Sequence, residues 1–399
     1  MDVPVEYLRL GLAFDRLERG LVDAWTGPAQ VRAEVESGPV PEPAALAARA
    51  RVLLSELPSC GLEPSRTAFL QAQLTALETT GRVLAGEPVG YVDQVEAWFQ
   101  VRPALGEPEA YAVAHAELDL LLPGDGPLLE RYTDYRDAQS VPVERLAEAV
   151  REVSGLLRER ARRAFPLPVE EVVDYEVVTG KAWAGFNYYL GEFRSTVAIN
   201  ADLPVGLGAL PPLVAHESYP GHHTERCRKQ ARLGGLPERD VWLVNTPENL
   251  IAEGLADLGL VGLDLQDWGP LVTELYADLG ITYDGDLGQQ IAAAAAPLTR
   301  VRQDVALLLH DQGASVEQAE QHLARWALQS PDRAGKTIAF LTDPLWRAYI
   351  STYVEGEALL SRWLQARPAG QPVGGRFVRL LDEPLTPAQL RAEAPEPAP

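Results

Sequence analysis

Three of the six histidines in this 399-residue chain fall within eight residues, beside a glutamate. The segment reads His216-Glu217-Ser218-Tyr219-Pro220-Gly221-His222-His223. Imidazole is a common neutral ligand of zinc, and a glutamate next to the first histidine can act as general base toward water. The segment therefore indicates a metal-dependent hydrolytic site. The alternative is a helix that carries scattered histidines on its polar face.

The spacing departs from the H-E-x-x-H pattern, because Pro220 stands four residues after His216. On a straight helix, His222 would lie about 9 Å farther along the axis and His223 about 10.5 Å, beyond the reach of one zinc ion. Proline interrupts helical hydrogen bonding, and glycine permits a left-handed backbone. We predict a bulge at Pro220-Gly221. If the bulge loops out two residues, His222 is the second metal ligand; if it loops out three residues, His223 is. If His223 is not a ligand, it is expected to contact the substrate.

The third ligand is predicted on the following helix. Thr246 is a good N-cap residue and Pro247 suits the first helical position. Glu253 lies about two turns later among apolar residues, where an ionised carboxylate needs a cation. Asp257, one turn farther on the same face, can orient a ligating histidine through its other ring nitrogen. The rival ligand is Glu248, in a first turn where the helix dipole alone accounts for a carboxylate.

Helical periodicity surrounds these residues. It is strongest in the first half of the chain at 44–57, 66–84 and 143–164, and it returns after residue 211. Between these parts lie three short segments rich in β-branched and aromatic residues, at 172–178, 184–190 and 193–199. The chain is therefore expected to be mainly α, with a small antiparallel sheet beside the active-site helix.

The change from helical periodicity to strand-like segments suggests how the chain divides into lobes. Residues 1–165 are expected to form a helical N-terminal lobe, and residues 166–390 a catalytic lobe that binds zinc. The tail 391–399 is rich in Ala, Glu and Pro and is predicted to be disordered. The expected architecture is a large, two-lobed helical fold of the metallopeptidase type.

Composition excludes several classes of partner. The formal net charge of −22 argues against nucleic acid and anionic membranes, which bind basic surfaces. No apolar stretch is long enough to span a bilayer, and the first residues lack the basic and apolar regions of a signal peptide. A soluble cytoplasmic protein is expected. Cys60 and Cys227 are expected to be reduced thiols, with one disulfide as the alternative.

The histidine segment resembles the H-E-x-x-P-G-H-H signature of the bacterial domain-of-unknown-function family 885, which is placed with the gluzincin zinc metallopeptidases near the thermostable carboxypeptidases. Further likeness lies in the C-terminal part of the chain. Glu253-Gly254 resembles an E-G-W-A segment with Leu255 in place of Trp, residues 304–310 resemble D-x-G-x-H in a longer spacing, and residues 353–357 resemble Y-K-x-G-Q. The N-terminal half matches weakly.

This resemblance implies a helical fold with a deep cleft, a bound Zn2+ and cleavage of peptides or another small amide. It also implies substrate-side roles for Tyr353 and His310 as donors to a developing oxyanion. From the residues alone, the alternatives are a core tyrosine beside Trp346 and Tyr349, and a histidine satisfied at a helix end.

The sequence thus predicts a zinc metallopeptidase of carboxypeptidase or dipeptidase type, acting on short peptides with Glu217 as general base. One alternative is a zinc hydrolase of a non-peptide amide or ester. Another is a decayed metal-binding scaffold, although a structural site has no use for a free Glu217. Tyr188, Tyr189 and the run 194–200 form either an edge strand that pairs with substrate or an ordinary hairpin.

Overall fold

A computed structural model describes residues 2–181 and 183–394. These residues are mainly helical, which confirms the predicted fold class. The helices are α1 (Val3–Asp15), α2 (Ala29–Ser37), α3 (Pro43–Glu56), α4 (Pro64–Leu84), α5 (Tyr91–Phe99), α6 (Pro108–Leu121), α7 (Leu128–Ala138), α8 (Val143–Ala164), α9 (Leu210–Glu217), α10 (His222–Leu233), α11 (Pro247–Asp257), α12 (Gly259–Gly262), α13 (Gly269–Asp278), α14 (Gly285–Ala295), α15 (Arg300–His310), α16 (Val316–Trp326), α17 (Pro331–Thr342), α18 (Ile350–Gln365), α19 (Val373–Asp382) and α20 (Pro387–Glu393). The strands are β1 (Val22–Trp25), β2 (Val172–Val178), β3 (Gly185–Gly191), β4 (Arg194–Asn200) and β5 (Val241–Leu243).

One apolar core joins the two ends of the chain. Tyr7 of α1 and Leu70 of α4 are buried in the same cluster as Val305 of α15 and Trp363 of α18. Helices α4 and α5 also pack against α11, the helix that carries Glu253. The two lobes predicted from the sequence therefore share their main core.

A second core supports the histidine segment. It brings together Val153 of α8, Ile199 of β4, Val214 of α9 and Tyr276 of α13. Helix α8 contacts both α9 and β2, so α9 is held between a long amphipathic helix and the sheet. The end of α9 is thus fixed by apolar packing on several sides.

The sheet beside α9 is mixed, whereas the sequence predicted an antiparallel one. Strand β4 lies in the middle, antiparallel to β3 and parallel to β2. The turn at Glu192 and Phe193 has positive φ at both residues, which closes a tight β3–β4 hairpin. Strand β2 then pairs with the other side of β4. The run 194–200 is therefore a central strand of an ordinary hairpin, and the edge-strand alternative is wrong for it.

The structure contains a further two-stranded sheet that was not predicted from the sequence. Strand β1 pairs antiparallel with β5, placing Val22 opposite Leu243. Both strands are very short, so neither carries enough alternation to be recognised. The pair joins the region after α1 to the entry of α11.

The end of the chain is more ordered than predicted. Residues 391–393 complete α20, which Thr386 and Gln389 begin with a capping box. Glu393 also forms an ion pair with Arg379 at 2.7 Å. Disorder was therefore wrong for 391–394, and residues 395–399 lie outside the described residues.

Cys60 and Cys227 are both free thiols, as expected. In the part of the chain that the structure describes, no helix combines the length and apolar character needed to cross a membrane.

Candidate metal centre

The chain turns sharply between the first and second histidines of the segment. Helix α9 ends at Glu217, a cis peptide bond joins Tyr219 to Pro220, and α10 begins at His222. The amide of Gly221 donates to the carbonyl of Ala215 at 2.9 Å, so the loop folds back on α9. The interruption predicted at Pro220-Gly221 is thus present.

Glycine is required at this turn for a reason that differs from the predicted one. The φ of Gly221 is −74°, outside the left-handed region. A Cβ at this position, however, would lie 2.0 Å from the carbonyl oxygen of His216. Any larger residue must push the loop away from the end of α9, and with it the histidine that follows.

His216, His222 and Glu253 converge on one point. The Nε2 atoms of the two histidines are 3.1 Å apart, and the Glu253 carboxylate oxygens lie 3.2 Å from His216 Nε2 and 3.3 Å from His222 Nε2. Ligands about 2.0 Å from a shared tetrahedral centre stand about 3.3 Å from one another. Three donors at this spacing can hold a small tetrahedral cation and leave one position open.

The hydrogen bonding of this cluster is incomplete without a cation. Glu253 is buried, yet its Oε2 atom has no hydrogen-bond partner within the described residues. Two imidazole nitrogens also face each other there. Buried polar atoms are normally satisfied, and a buried carboxylate in particular needs a cation. The donor set of two nitrogens and a carboxylate, without sulfur, fits zinc.

Three further groups orient these donors. Asp257 accepts a hydrogen bond from Nδ1 of His216 at 2.8 Å, which leaves the lone pair of Nε2 facing the cluster. The hydroxyl of Tyr349 donates to Oε1 of Glu253 at 2.7 Å, and Asn249 donates to that hydroxyl at 2.5 Å. Asp257 thus occupies the orienting position predicted for it, while Tyr349 and Asn249 were missed.

The electrostatics favour charge separation in the cluster. Burial alone would raise the pKa of Glu253, but His222 and His216 outweigh it and hold that pKa well below its usual value. Burial would lower the pKa of His216, but Asp257 and Glu253 raise it well above 6.5. An ionised carboxylate therefore faces two imidazoles that readily take up protons. Protons and metal ions compete for the same donor atoms, so a cluster that attracts protons in this way can also attract a metal cation.

Glu217 projects into the adjoining cleft instead of joining the cluster. Its backbone carbonyl accepts a hydrogen bond from buried Asn187 at 2.7 Å, which ties the end of α9 to β3. A Cβ at Gly185 would lie 2.9 Å from Glu217 Oε1, so glycine leaves room for this carboxylate. Burial raises the pKa of Glu217, against the opposing effect of His216 and His222.

His223 lies behind the site, and both roles considered for it are wrong. It is fully buried, with Nδ1 2.8 Å from Ser195 Oγ and Nε2 3.0 Å from Glu171 Oε2. Consecutive helical residues point about 100° apart, so His222 faces the cluster while His223 faces the sheet. Neither a metal ligand nor a substrate contact is compatible with this position.

Glu171 is a positioning residue that the sequence analysis missed. Its carboxylate accepts hydrogen bonds from His223, from Tyr219 at 2.5 Å and from Arg158 at 2.8 Å, and so fixes the histidine turn from behind. Burial would raise the pKa of Glu171, but these hydrogen bonds lower it to about 2. The only sequence signal was an acidic residue directly before a strand, which is too common to interpret.

Tyr353 and His310 have different positions. The ring of Tyr353 lies 6.1 Å from that of His216 and lines the cleft. His310 stacks on Tyr91 and its Nε2 lies 2.6 Å from the carbonyl oxygen of Leu341. It lines neither described cavity, so its predicted role as a donor is wrong and the helix-end alternative holds.

The rival ligand Glu248 is engaged elsewhere. It pairs with Arg239 and lies 3.6 Å from Nζ of Lys229, in a buried polar network on the far side of α11 from the cluster. Because the two glutamates are five residues apart, they point to different faces of the helix.

The cleft itself has a volume of about 720 Å³, within the range of small-molecule sites. A smaller cavity of about 50 Å³ continues past His222 and Glu253. Both cavities are lined by His216, Glu217 and Tyr353, so the cluster stands where they meet.

No protein-family model and no curated protein matches this chain. Solved structures with a similar fold include one described as "the putative lipoprotein from Colwellia psychrerythraea", with a TM-score of 0.54 and 16% identity over 92% of this chain and 69% of that one. Another is "a putative lipoprotein of unknown function from Shewanella oneidensis", with a TM-score of 0.52 and 14% identity over 98% of this chain and 82% of that one. At such identities the likeness concerns the fold alone.

Proposed function

We propose that this protein is a zinc-dependent hydrolase of short peptides, of the carboxypeptidase or dipeptidase type. The observation that carries the proposal is the juxtaposition of two features. His216, His222 and Glu253 stand at the spacing of tetrahedral ligands, and the carboxylate of Glu217 lies free in the adjoining cleft. A purely structural metal site would have closed coordination and no use for that carboxylate.

His216, His222 and Glu253 would hold the zinc ion. A zinc ion there supplies Lewis acidity, which lowers the pKa of water and polarises a substrate carbonyl. Asp257 fixes the Nδ1–H tautomer of His216, and Tyr349 fixes the carboxylate of Glu253. These contacts hold the donor atoms in place before any ligand arrives, so little reorganisation is needed on binding.

Glu217 is assigned the proton transfers. Its carboxylate takes a proton from the water that attacks the scissile carbonyl, and then donates that proton to the departing amine nitrogen. Burial favours this role, because it penalises the charged carboxylate more than the neutral acid and so makes proton uptake in the first transfer easier. Asn187 and Gly185 position the carboxylate without competing for it.

Tyr353 is assigned the stabilisation of the oxyanion. Its hydroxyl is a neutral donor in the same cleft, beside the ring of His216. Neutral donors already in place stabilise a developing charge without reorganising. A cleft of about 720 Å³ suits a short substrate better than an extended protein segment.

The test combines metal analysis with hydrolysis. Purified protein is analysed for transition metals and incubated with a mixed library of short peptides, as isolated, after chelation and after resupply of zinc. Glu217→Gln should keep the metal and lose about 10²- to 10⁴-fold in rate. The matched control is Glu152→Gln, an exposed glutamate of α8 that lines no described cavity.

Each outcome of this test is informative. Chelator-sensitive peptide cleavage that is lost in Glu217→Gln supports the proposal. A protein that carries no transition metal and binds none on dialysis refutes it. Loss of the metal in Glu217→Gln would make Glu217 a ligand and would overturn the assigned proton transfers.

A further inference from the structure

The cleft is basic although the chain is strongly acidic. The whole sequence has 57 acidic and 35 basic residues. Among the described residues that line the cleft, five are basic and two are acidic, and two of the three lysines in the chain are present. The basic residues are Arg136, Lys181, Arg302, Arg333 and Lys336. This reversal of charge indicates a ligand with negative charge.

The two acidic residues of the cleft are engaged with other groups, although Asp257 also acts on Arg302. Asp257 is held by Nδ1 of His216 at 2.8 Å, and Glu217 is reserved for proton transfer in the proposed function. The next acidic side chain, Asp202, lies 3.4 Å from Nζ of Lys336 and accounts for that one cation. The other four cations of the cleft form no ion pair within the described residues.

Of the five cations in the cleft, Arg302 of α15 has the surroundings best suited to binding an anion. Tyr353 and Asp257 are the ionisable groups that act on it, which places it beside the metal cluster. Its Nε atom is buried and has no hydrogen-bond partner, and no described carboxylate lies within ion-pair distance of it. The guanidinium carbon stands 5.7 Å from the ring centroid of Phe340, also a residue of the cleft.

An unpaired guanidinium in such a position is costly for the folded protein. Removing a cation from water is unfavourable unless an anion or hydrogen-bond acceptors replace the water. Arg228, by comparison, is also buried and has Asp382 as its partner at 2.7 Å. Arg302 lacks one, so its partner is expected to arrive with the ligand.

We infer that the cleft recognises its substrate through a carboxylate, and that Arg302 is the residue that binds it. A guanidinium presents two parallel N–H donors that match the two oxygens of a carboxylate. The inference rests on the proposed function for the position of the scissile bond beside Glu217. The carboxylate is then either the free C-terminus of the peptide or an acidic side chain of its last residue.

The experiment measures binding, so that it does not depend on turnover. Three probes are titrated calorimetrically into zinc-supplied Glu217→Gln protein: N-acetyl-alanyl-alanine as the free acid, its C-terminal amide, and N-acetyl-alanyl-glutamate with an amidated C-terminus. Loss of a hydrogen-bonded charge pair should weaken binding about 10- to 100-fold. A preference of that size for the free acid identifies the C-terminal carboxylate, and one for the glutamate probe identifies the side chain.

Variants then assign the effect to Arg302. Arg302→Gln should bind all three probes equally, while Arg302→Lys should retain part of the preference. Arg160→Gln is the matched control, since this exposed arginine of α8 lines no described cavity and its loss changes the net charge equally. Circular dichroism checks that each variant folds. If Arg302→Gln does not fold, the comparison of unsubstituted Arg302 with Arg302→Lys decides.

The outcomes separate this inference from the proposed function. Equal affinity for the acid, the amide and the glutamate probe overturns the inference even if peptides are hydrolysed, and so does a failure of all three to bind at millimolar concentration. A preference that survives in Arg302→Gln also overturns it. A carboxylate preference that requires Arg302, in a protein that hydrolyses no peptide, supports the carboxylate site and refutes the peptidase.

Discussion

Replacing His222 and His223 separately by alanine tests the geometry of the histidine turn. The two residues are adjacent in sequence but point about 100° apart on α10. His222 Nε2 lies 3.1 Å from that of His216, whereas His223 is fully buried against Ser195 and Glu171. We expect His222→Ala to lose zinc and keep its fold, and His223→Ala to keep its zinc ligands and lose stability.

The sizes of the two effects follow from the contacts removed. His222→Ala deletes one of three donors, so zinc affinity should fall by more than the roughly 10- to 100-fold that loss of an outer partner causes. His223→Ala removes two buried hydrogen bonds and leaves a cavity. Glu171 still accepts from Tyr219 and Arg158, which limits the cost to roughly 2–4 kcal/mol.

Two measurements on each variant separate these effects. Zinc affinity is obtained by competition with a chromophoric chelator, and stability by urea unfolding in the presence of a strong chelator, so that metal binding does not contribute. The opposite result, in which His223→Ala abolishes zinc binding while His222→Ala leaves it intact, would refute this choice of ligand. That result would mean that three residues are looped out, and that the turn in solution differs from the one described above.

Three other perturbations probe the same region. Gly221→Ala would place a Cβ 2.0 Å from the carbonyl oxygen of His216, so it should lower the free energy of unfolding by about 1–3 kcal/mol and weaken zinc binding. Its control is Gly375→Ala, because a Cβ at Gly375 meets nothing within 4 Å. Equal stability and zinc affinity of the two variants would contradict the prediction. Asp257→Ala removes the partner of His216 Nδ1 and should lower zinc affinity about 10- to 100-fold in the chelator competition; unchanged affinity would show that the contact orients nothing. Hydrogen bonds outweigh burial and lower the pKa of Glu171 from 4.5 to about 2. The ionised carboxylate therefore stabilises the folded protein by about 3 kcal/mol. This stabilisation is fully present above pH 4.5 and is lost as the pH falls toward 2. Urea unfolding at pH 7 and pH 3 should therefore show a smaller loss on acidification for Glu171→Gln than for the unaltered protein, and an identical loss would count against this account.

The sequence by itself indicated the members of the cluster, because short-range backbone geometry fixes how they lie relative to their neighbours in the chain. His216 and His222 belong to one short segment, in which Pro220 and Gly221 leave few backbone paths. Glu253 and Asp257 share one face of a single helix, so their spacing could be derived from helical geometry. Apolar periodicity likewise identified the longest helices, such as α4 and α8, since it reports which face of a helix is buried.

The tertiary structure alone decided which partners met across long distances in sequence. The choice between His222 and His223 depended on Glu171, which holds His223 against the sheet from about fifty residues away in the chain. His310 lost its predicted role because the direction of α15 carries it toward Tyr91 and away from the cleft. Periodicity cannot give the direction in which a helix is packed, because many directions bury the same face.

The charge of the cleft shows the same division most clearly. Composition correctly described an acidic chain, and none of the cations of the cleft belongs to a basic run such as 158–163. The cations come from α7, α15, α17 and the loop after β2, and each is unremarkable in its own segment. Only packing brings them to one concave surface and leaves Arg302 without a carboxylate. Electrostatic potential depends on distances in space, and those distances are set by the whole core rather than by any local stretch of residues.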